Sequence, residues 1–234
     1  MDITQLKIKP DLLESKLMST KVAEILRENI ISENLKPGEK INEFRLSQAL
    51  NISRPPIREA FRTLASEGLV LLVPRKGVYV TKLSIREVKE IYQMKSMMES
   101  FATRLAIPIA EEKEVLELDS ILNLMEEKIK EDNFKEIQKL NIKFHRKMIK
   151  MSKNQKLINL YESIVLPIRR YQRIGLSAPS SWEISLKEHR DIAQAIKSKD
   201  IDLAEKLTRE HTMSAIYRVL KRLEEKEKDK NSDF

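Results

Sequence analysis

Hydrophobic residues along this chain recur mostly at intervals of three and four, the period of an amphipathic helix, and that period breaks only in one short stretch. Val22, Ile25, Leu26, Ile30 and Ile31 predict a helix that Pro37-Gly38 ends. Glu43 to Leu50 predict a shorter one, with Leu46, Ala49 and Leu50 turned inward, and Asn51-Ile52 form a turn. Ile57, Ala60, Phe61 and Leu64 then mark the inner face of a third helix. Ser53 is its N-cap, and Pro55 and Pro56 fit only its first turn, where a missing N–H costs nothing. After Gly68, a C-terminal stop, the period shortens: Leu69 to Val73 and Val78 to Thr81 are β-rich, with Pro74-Arg75-Lys76-Gly77 as a tight connection. Two short helices meeting across a turn, then a hairpin, predict a winged helix-turn-helix of roughly sixty residues.

The helical period resumes at Ser84-Ile85-Arg86-Glu87, a capping box ahead of Ile85, Val88, Ile91, Tyr92 and Leu105. Further periodic stretches run from about Glu111 to Lys130, Phe134 to Met151, Gln155 to Ile174, Trp182 to Ser198 and Ile201 to Glu225. Ser180-x-x-Glu183 reads as the capping box of the fifth helix. Gly38, Gly68 and Gly77 fall in the first part and only Gly175 in the rest, so the rest is expected to be nearly all helix. The fold class is mostly α, a winged helix-turn-helix followed by a bundle of about six helices. The expected organisation is a mobile arm over 1–17, the winged domain over 18–83, the bundle over 84–223 and a charged tail over 224–234.

Composition changes this picture in three ways. At 234 residues and 41% hydrophobic, the chain is long enough for two packed cores. The formal charge of +8 is uneven: between Glu43 and Lys82, Arg45, Arg54, Arg58, Arg62, Arg75, Lys76 and Lys82 face only Glu43, Glu59 and Glu67. Zero cysteines exclude disulfides and thiolate chemistry. The start Met1-Asp2-Ile3-Thr4-Gln5 lacks a signal-peptide core, and no apolar run reaches the length of a membrane span, so a cytoplasmic protein with no membrane partner is expected.

On the third helix, Arg54, Arg58 and Arg62 follow each other at steps of four and share one flank. A guanidinium fork pairs bidentately with guanine O6 and N7 or with phosphate oxygens, although a solvated charged face has the same spacing. The hairpin tip places Arg75 and Lys76 near a phosphate or the minor groove. The pattern Leu35-x-Pro37-Gly38-x-x-Ile41, then Glu43-x-x-Leu46-Ser47-x-x-Leu50-x-Ile52-Ser53-Arg54-x-Pro56-Ile57-Arg58-Glu59-Ala60-x-Arg62-x-Leu64-x-x-Glu67-Gly68-Leu69, resembles the amino-terminal domain of GntR-family transcription regulators. The resemblance implies that Arg54, Arg58, Lys76 and Gly77 contact DNA, with Arg62 and Arg45 as phosphate partners. Many members carry a DNA-touching basic residue directly after the equivalent of Glu43; here that residue is Phe44.

The three histidines each fall on the inward side of a different predicted helix. His145 stands beside Ile142, Met148 and Ile149, His189 beside Ile192, Ala193 and Ile196, and His211 beside Leu207 and Ala215. One such imidazole is better explained as a core histidine bonded to a backbone carbonyl. Three together point to a shared site, because facing helices build metal sites from inward imidazoles; Asn141, one turn before His145, is positioned to join them. Asn141-x-x-Phe144-His145, Asn154-x-x-Leu157, His189 and His211 resemble the FCD effector-binding domain of the FadR-like branch, and the two resemblances together cover about residues 20 to 220. In metal-binding members of that branch an Asp and three His hold a divalent ion whose coordination a small organic acid completes. Asn141 stands at the Asp position, which shifts preference toward zinc or nickel. Lys95 stands where many relatives carry an Arg that holds the effector carboxylate. Arg169, Arg170 and Arg173 cluster on another helix, as a solvated face or facing an anion.

These readings converge on a ligand-responsive transcription regulator, not an enzyme. It is expected to be a repressor, bound as a homodimer to a near-palindromic duplex operator and controlled by a small carboxylate. The alternatives are a metal-dependent hydrolase using the three-His set and a helical adaptor whose histidines only pack. The chain has no His-Glu-x-x-His, nucleophile elbow or phosphate-cradling glycine loop.

Overall fold

The computed structural model describes residues 10–82, 84–175 and 179–232. Among them are nine helices and three short strands, which divide into two compact units, Met1–Leu83 and Ser84–Phe234.

In the first unit, α1 (Pro10–Ile31), α2 (Glu43–Leu50) and α3 (Arg54–Ser66) enclose a core, beside a sheet of β1 (Lys40–Ile41), β2 (Val70–Val73) and β3 (Gly77–Val80) in the order β1-β3-β2. Val22, Ala23, Leu26 and Ile30 of α1 meet Ile57, Ala60, Phe61 and Leu64 of α3 over Leu69, Val70 and Val80. Arg27 clamps Glu67, at the end of α3, with two bonds of 2.9 and 2.6 Å. Gly68, at φ +71°, then turns the chain out of α3: its N–H donates to Ala65 O and that of Leu69 to Leu64 O, a Schellman close. Asn51, also left-handed, ends α2 and makes the turn into α3. The β2–β3 hairpin closes through Val73 opposite Gly77, with Arg75 at φ +62° at its tip.

Several local expectations differ from this structure. Ser53 occupies the N-cap of α3 but accepts no capping bond. The N–H groups it would accept belong to the second and third helical positions, and these are Pro55 and Pro56. Ala49 and Ile25 are exposed rather than inward: Leu46 and Leu50 alone make the inner edge of α2, and Val22, Ala23, Leu26 and Ile30 make that of α1. β1 went unread, being too short to alternate. α1 begins at Pro10, inside the expected arm, whose residues 1–9 lie outside those described.

The second unit is six helices: α4 (Ile85–Ala106), α5 (Glu112–Lys130), α6 (Phe134–Met151), α7 (Gln155–Gly175), α8 (Pro179–Lys197) and α9 (Ile201–Ser232). Ser84 accepts from Glu87 N at 3.4 Å and starts α4, but the reciprocal half of the expected capping box is absent, the Glu87 carboxylate accepting from Tyr171 OH instead. Ser180 does not start α8, which already begins at Pro179, a residue suited to a first turn. α4 packs on α9, α6 and α7, while α5 packs on α6 and α8. One apolar cluster, with Leu118, Leu122, Phe144, Met148 and Ile192, fills the α5–α6–α8 side. Another, with Met98, Ala102, Ile149, Tyr161 and Val165, fills the α4–α6–α7 side. α6 belongs to both, so its inward polar residues are held between two dry layers. Among the described residues no helix is long and apolar enough to cross a membrane.

Candidate functional site

His145 of α6, His189 of α8 and His211 of α9 meet in the interior of the second unit, all buried. Their Nε2 atoms form a triangle with sides of 3.3 Å (His145–His189), 3.2 Å (His189–His211) and 3.4 Å (His145–His211). The helical spacing supplies this directly, since each histidine is the polar member of an apolar stripe and the stripes converge. Phe144 lies against the His189 ring, with centroids 4.3 Å apart, and walls one side.

Two carboxylates stand behind the triangle. Glu188 Oε2 is 2.7 Å from His211 Nδ1 and is also held by Arg218. Glu99 Oε1 is 3.0 Å from His145 Nδ1, an ion-pair distance that lacks hydrogen-bond alignment. Among the described residues His189 Nδ1 has no hydrogen-bond partner. A carboxylate on Nδ1 fixes the proton there and leaves the Nε2 lone pair free to ligate. An atom about 2.1 Å from each Nε2, the usual zinc–imidazole distance, would subtend angles of about 100° across the triangle. The donor set therefore fits a divalent ion with coordination positions left over. Three lone pairs facing one another with no cation between them repel, which also favours such an occupant.

Burial keeps the rings in the ligating form. Desolvation lowers His145 to about 4 and His189 well below the usual imidazole value, and it lowers His211 against the opposing pull of Glu188. Glu188 runs the other way: burial raises it, but His211, Ser214 and Arg218 bring it down to about 2. For Glu99, burial pushes up while His145 and Lys95 pull down, and the net direction is down; Lys95, the cation 2.6 Å away, is the cause that survives when His145 is neutral.

Lys95 is itself buried, and its Nζ donates to Glu99 Oε2. Tyr161 donates to the other oxygen at 2.6 Å and Thr212 to Oε2 at 3.2 Å. Lys95 thus connects to the histidines through Glu99. Asn141 is buried on the His145 face of α6. Arg169 instead lines a basic groove of about 730 Å³ with Lys139, Lys143, Arg146 and Lys150, and its carbonyl accepts from Gln138. The side chain of Arg173 lies outside the described residues. Glu99 and Glu188 were not singled out from sequence. The available signals were Lys95-x-x-x-Glu99 at one-turn spacing on an inward face and the adjacency of Glu188 to His189.

The first unit carries the other candidate site. Lys40, Phe44, Arg54, Arg58, Leu72, Arg75, Lys76 and Gly77 line a groove of about 730 Å³ between the start of α3 and the hairpin. Arg54 and Arg58 are more than half exposed, and both donate to one oxygen of Glu43, at 2.6 and 2.9 Å. Arg62 pairs with Glu59, and neither it nor Arg45, although exposed, lines the groove. Gly77 sits at φ +112°, a backbone conformation that a residue with a side chain rarely adopts, so the chain there is bare backbone.

Comparison with known proteins finds a family match in each unit. The family of bacterial regulatory proteins named gntR matches residues 18–80, and the FCD domain matches residues 90–214. The HTH-type transcriptional regulator YdhC of Bacillus subtilis strain 168 is 36% identical over 76% of this chain and 80% of its own length. The HTH-type transcriptional repressor RspR of Escherichia coli K12 is 26% identical, covering 83% of this chain and 85% of its own. Among solved structures, E. coli McbR/YncC superposes with a TM-score of 0.75 at 20% identity over 88% of this chain and 98% of its own, a likeness of fold.

Proposed function

Because the chain belongs to the GntR family of bacterial regulatory proteins and carries an FCD domain, it is a transcription regulator and not an enzyme, and we propose that it is a metal-dependent repressor responsive to a small carboxylate. The metal-dependent hydrolase reading of the three histidines has no support among these relatives and is set aside.

In this reading α3 enters the major groove of duplex DNA, where Arg54 and Arg58 take base acceptors and Arg45 and Arg62 take phosphates. The hairpin brings Arg75, Lys76 and the bare backbone at Gly77 to the adjacent backbone or minor groove. A homodimer places two such units on a near-palindromic operator, with half-sites about one helical turn apart. Cytoplasmic location accords with that partner. His145, His189 and His211 would hold a divalent ion, zinc or nickel in preference to a harder one, since all three donors are imidazoles. The ion would supply a Lewis-acid position for a carboxylate oxygen. Glu188 holds the Nδ1 proton of His211 so that its Nε2 is free to ligate, and Glu99 stands against His145 Nδ1 on the same outer side of the triangle. Asn141 is available as a neutral fourth donor, and Lys95, reached through Glu99, is the candidate for the effector's negative charge, whereas Arg169 would serve only an anion held in the basic groove.

The observation that carries the ligand-responsive half is the Nε2 triangle of 3.2–3.4 Å. Metal analysis of tag-free protein by mass spectrometry, beside His189→Ala, tests it. Near-stoichiometric zinc or nickel that disappears in the variant is the expected result. No metal in either protein, after incubation with zinc, nickel and manganese, would sink the metal assignment.

A further inference from the structure

Among the described residues, Phe44 is the one aromatic side chain in a groove lined mainly by cations and short apolar side chains, with Asn42 and Glu43 beside it, and 58% of it is exposed. It is not a core residue out of place. Leu46 and Leu50, on the same short helix, already pack against the core, and Phe44 is directed to the opposite side. Phe44 follows Glu43, whose carboxylate accepts from both Arg54 and Arg58, so its backbone stands at the edge of the groove that the two guanidiniums line. The phenyl ring lines the same groove as the two guanidiniums and the exposed Leu72.

We propose that Phe44 is a specificity-determining residue that reads thymine, its ring meeting the C5-methyl group on the major-groove edge next to the base pairs taken by Arg54 and Arg58. This rests on the DNA-binding reading of the groove given above. A phenyl ring offers no donor to a phosphate or to guanine, so it cannot do what a basic residue at that position does. Of the four bases, thymine alone presents an apolar group in the major groove. The surrounding Lys40, Arg54, Arg58, Arg75 and Lys76, opposed only by Glu43, select a polyanion as the occupant rather than the apolar side chain of a protein partner. A duplex satisfies both demands, phosphates for the cations and a methyl group for the ring.

The test uses the full chain in three forms, wild type, Phe44→Ala and Phe44→Leu, with folding checked by circular dichroism. Each selects binders from a randomised duplex library. The wild type and Phe44→Leu are expected to enrich a thymine beside a guanine in each half-site, and Phe44→Ala to keep the guanine and lose the thymine. Replacing that thymine with deoxyuridine removes only the methyl group. The swap is expected to weaken wild-type binding about fourfold, the worth of one buried methyl, and to leave Phe44→Ala unchanged. A swap that is silent for the wild type, or that weakens both proteins equally, overturns the assignment of Phe44 while leaving DNA binding intact. Failure of the wild type to enrich any duplex overturns the DNA-binding reading itself.

Discussion

At the residue scale, the buried pair Lys95–Glu99 is the most exposed to loss. Neither group reaches water, and Glu99 accepts from Lys95, Tyr161 and Thr212 while standing beside His145. Removing one partner leaves the other charge stranded in a dry layer, so Glu99→Gln should cost about 3–5 kcal/mol in urea unfolding, and Lys95→Met with Glu99→Gln should recover most of it. Equal losses in the single and double variants would show that packing, not charge, is at stake. In the first unit, Arg58→Ala should weaken binding to the selected operator by about 1–3 kcal/mol and relax one base preference, read by fluorescence anisotropy; an unchanged affinity and preference would remove Arg58 from the reading face. The two residues were unequally legible. Arg58 stood out as one of a regular row, whereas Glu99 is one of 36 acidic residues in a helical chain, where such a residue ordinarily marks a solvated face.

At the element scale, helix starts separate what pattern conveys from what bonding decides. Asn42 caps α2 by accepting from Arg45 N at 3.0 Å, and its replacement by Ala should cost about 1 kcal/mol. Ser53 holds the same position on α3 without a bond, so Ser53→Ala should change stability by less than about 0.5 kcal/mol. Thermal unfolding of the two variants side by side checks the contrast, and a larger loss at Ser53 would contradict it. The span of α6, read as about Phe134 to Met151, matches the structure because Ile137, Leu140, Phe144, Met148 and Met151 keep one helical face apolar, and Asn133 caps its start. The two-residue β1 was not, since its pairing with β3 is set by tertiary approach and leaves no periodic trace.

At the scale of the whole molecule, the histidine triangle makes stability depend on acidity. In the unfolded chain His145 titrates near its ordinary 6.5, and in the fold near 4, so between those values the unfolded state binds more protons and acid favours unfolding. His189 and His211 shift the same way. Chelator-treated protein should therefore lose stability as pH falls from 7 to 5, by on the order of 2 kcal/mol from His145 alone, measured by urea midpoints. A flat profile would mean that the rings are hydrated or already protonated. The histidines themselves were legible as a set from their inward positions, but the 3.2–3.4 Å convergence needed the packing of α6, α8 and α9.

The single carboxylate oxygen shared by Arg54 and Arg58 bears on how such a protein finds its target in a genome. In the proposed reading, a stretch of the wrong sequence leaves both guanidiniums on Glu43 while phosphate contacts hold the chain to the duplex. A site that offers each arginine better acceptors than Glu43 would draw them out, so the residue that occupies the two arginines between sites would also weigh on how selective the stop is, by a small amount because both pairs stand half in water.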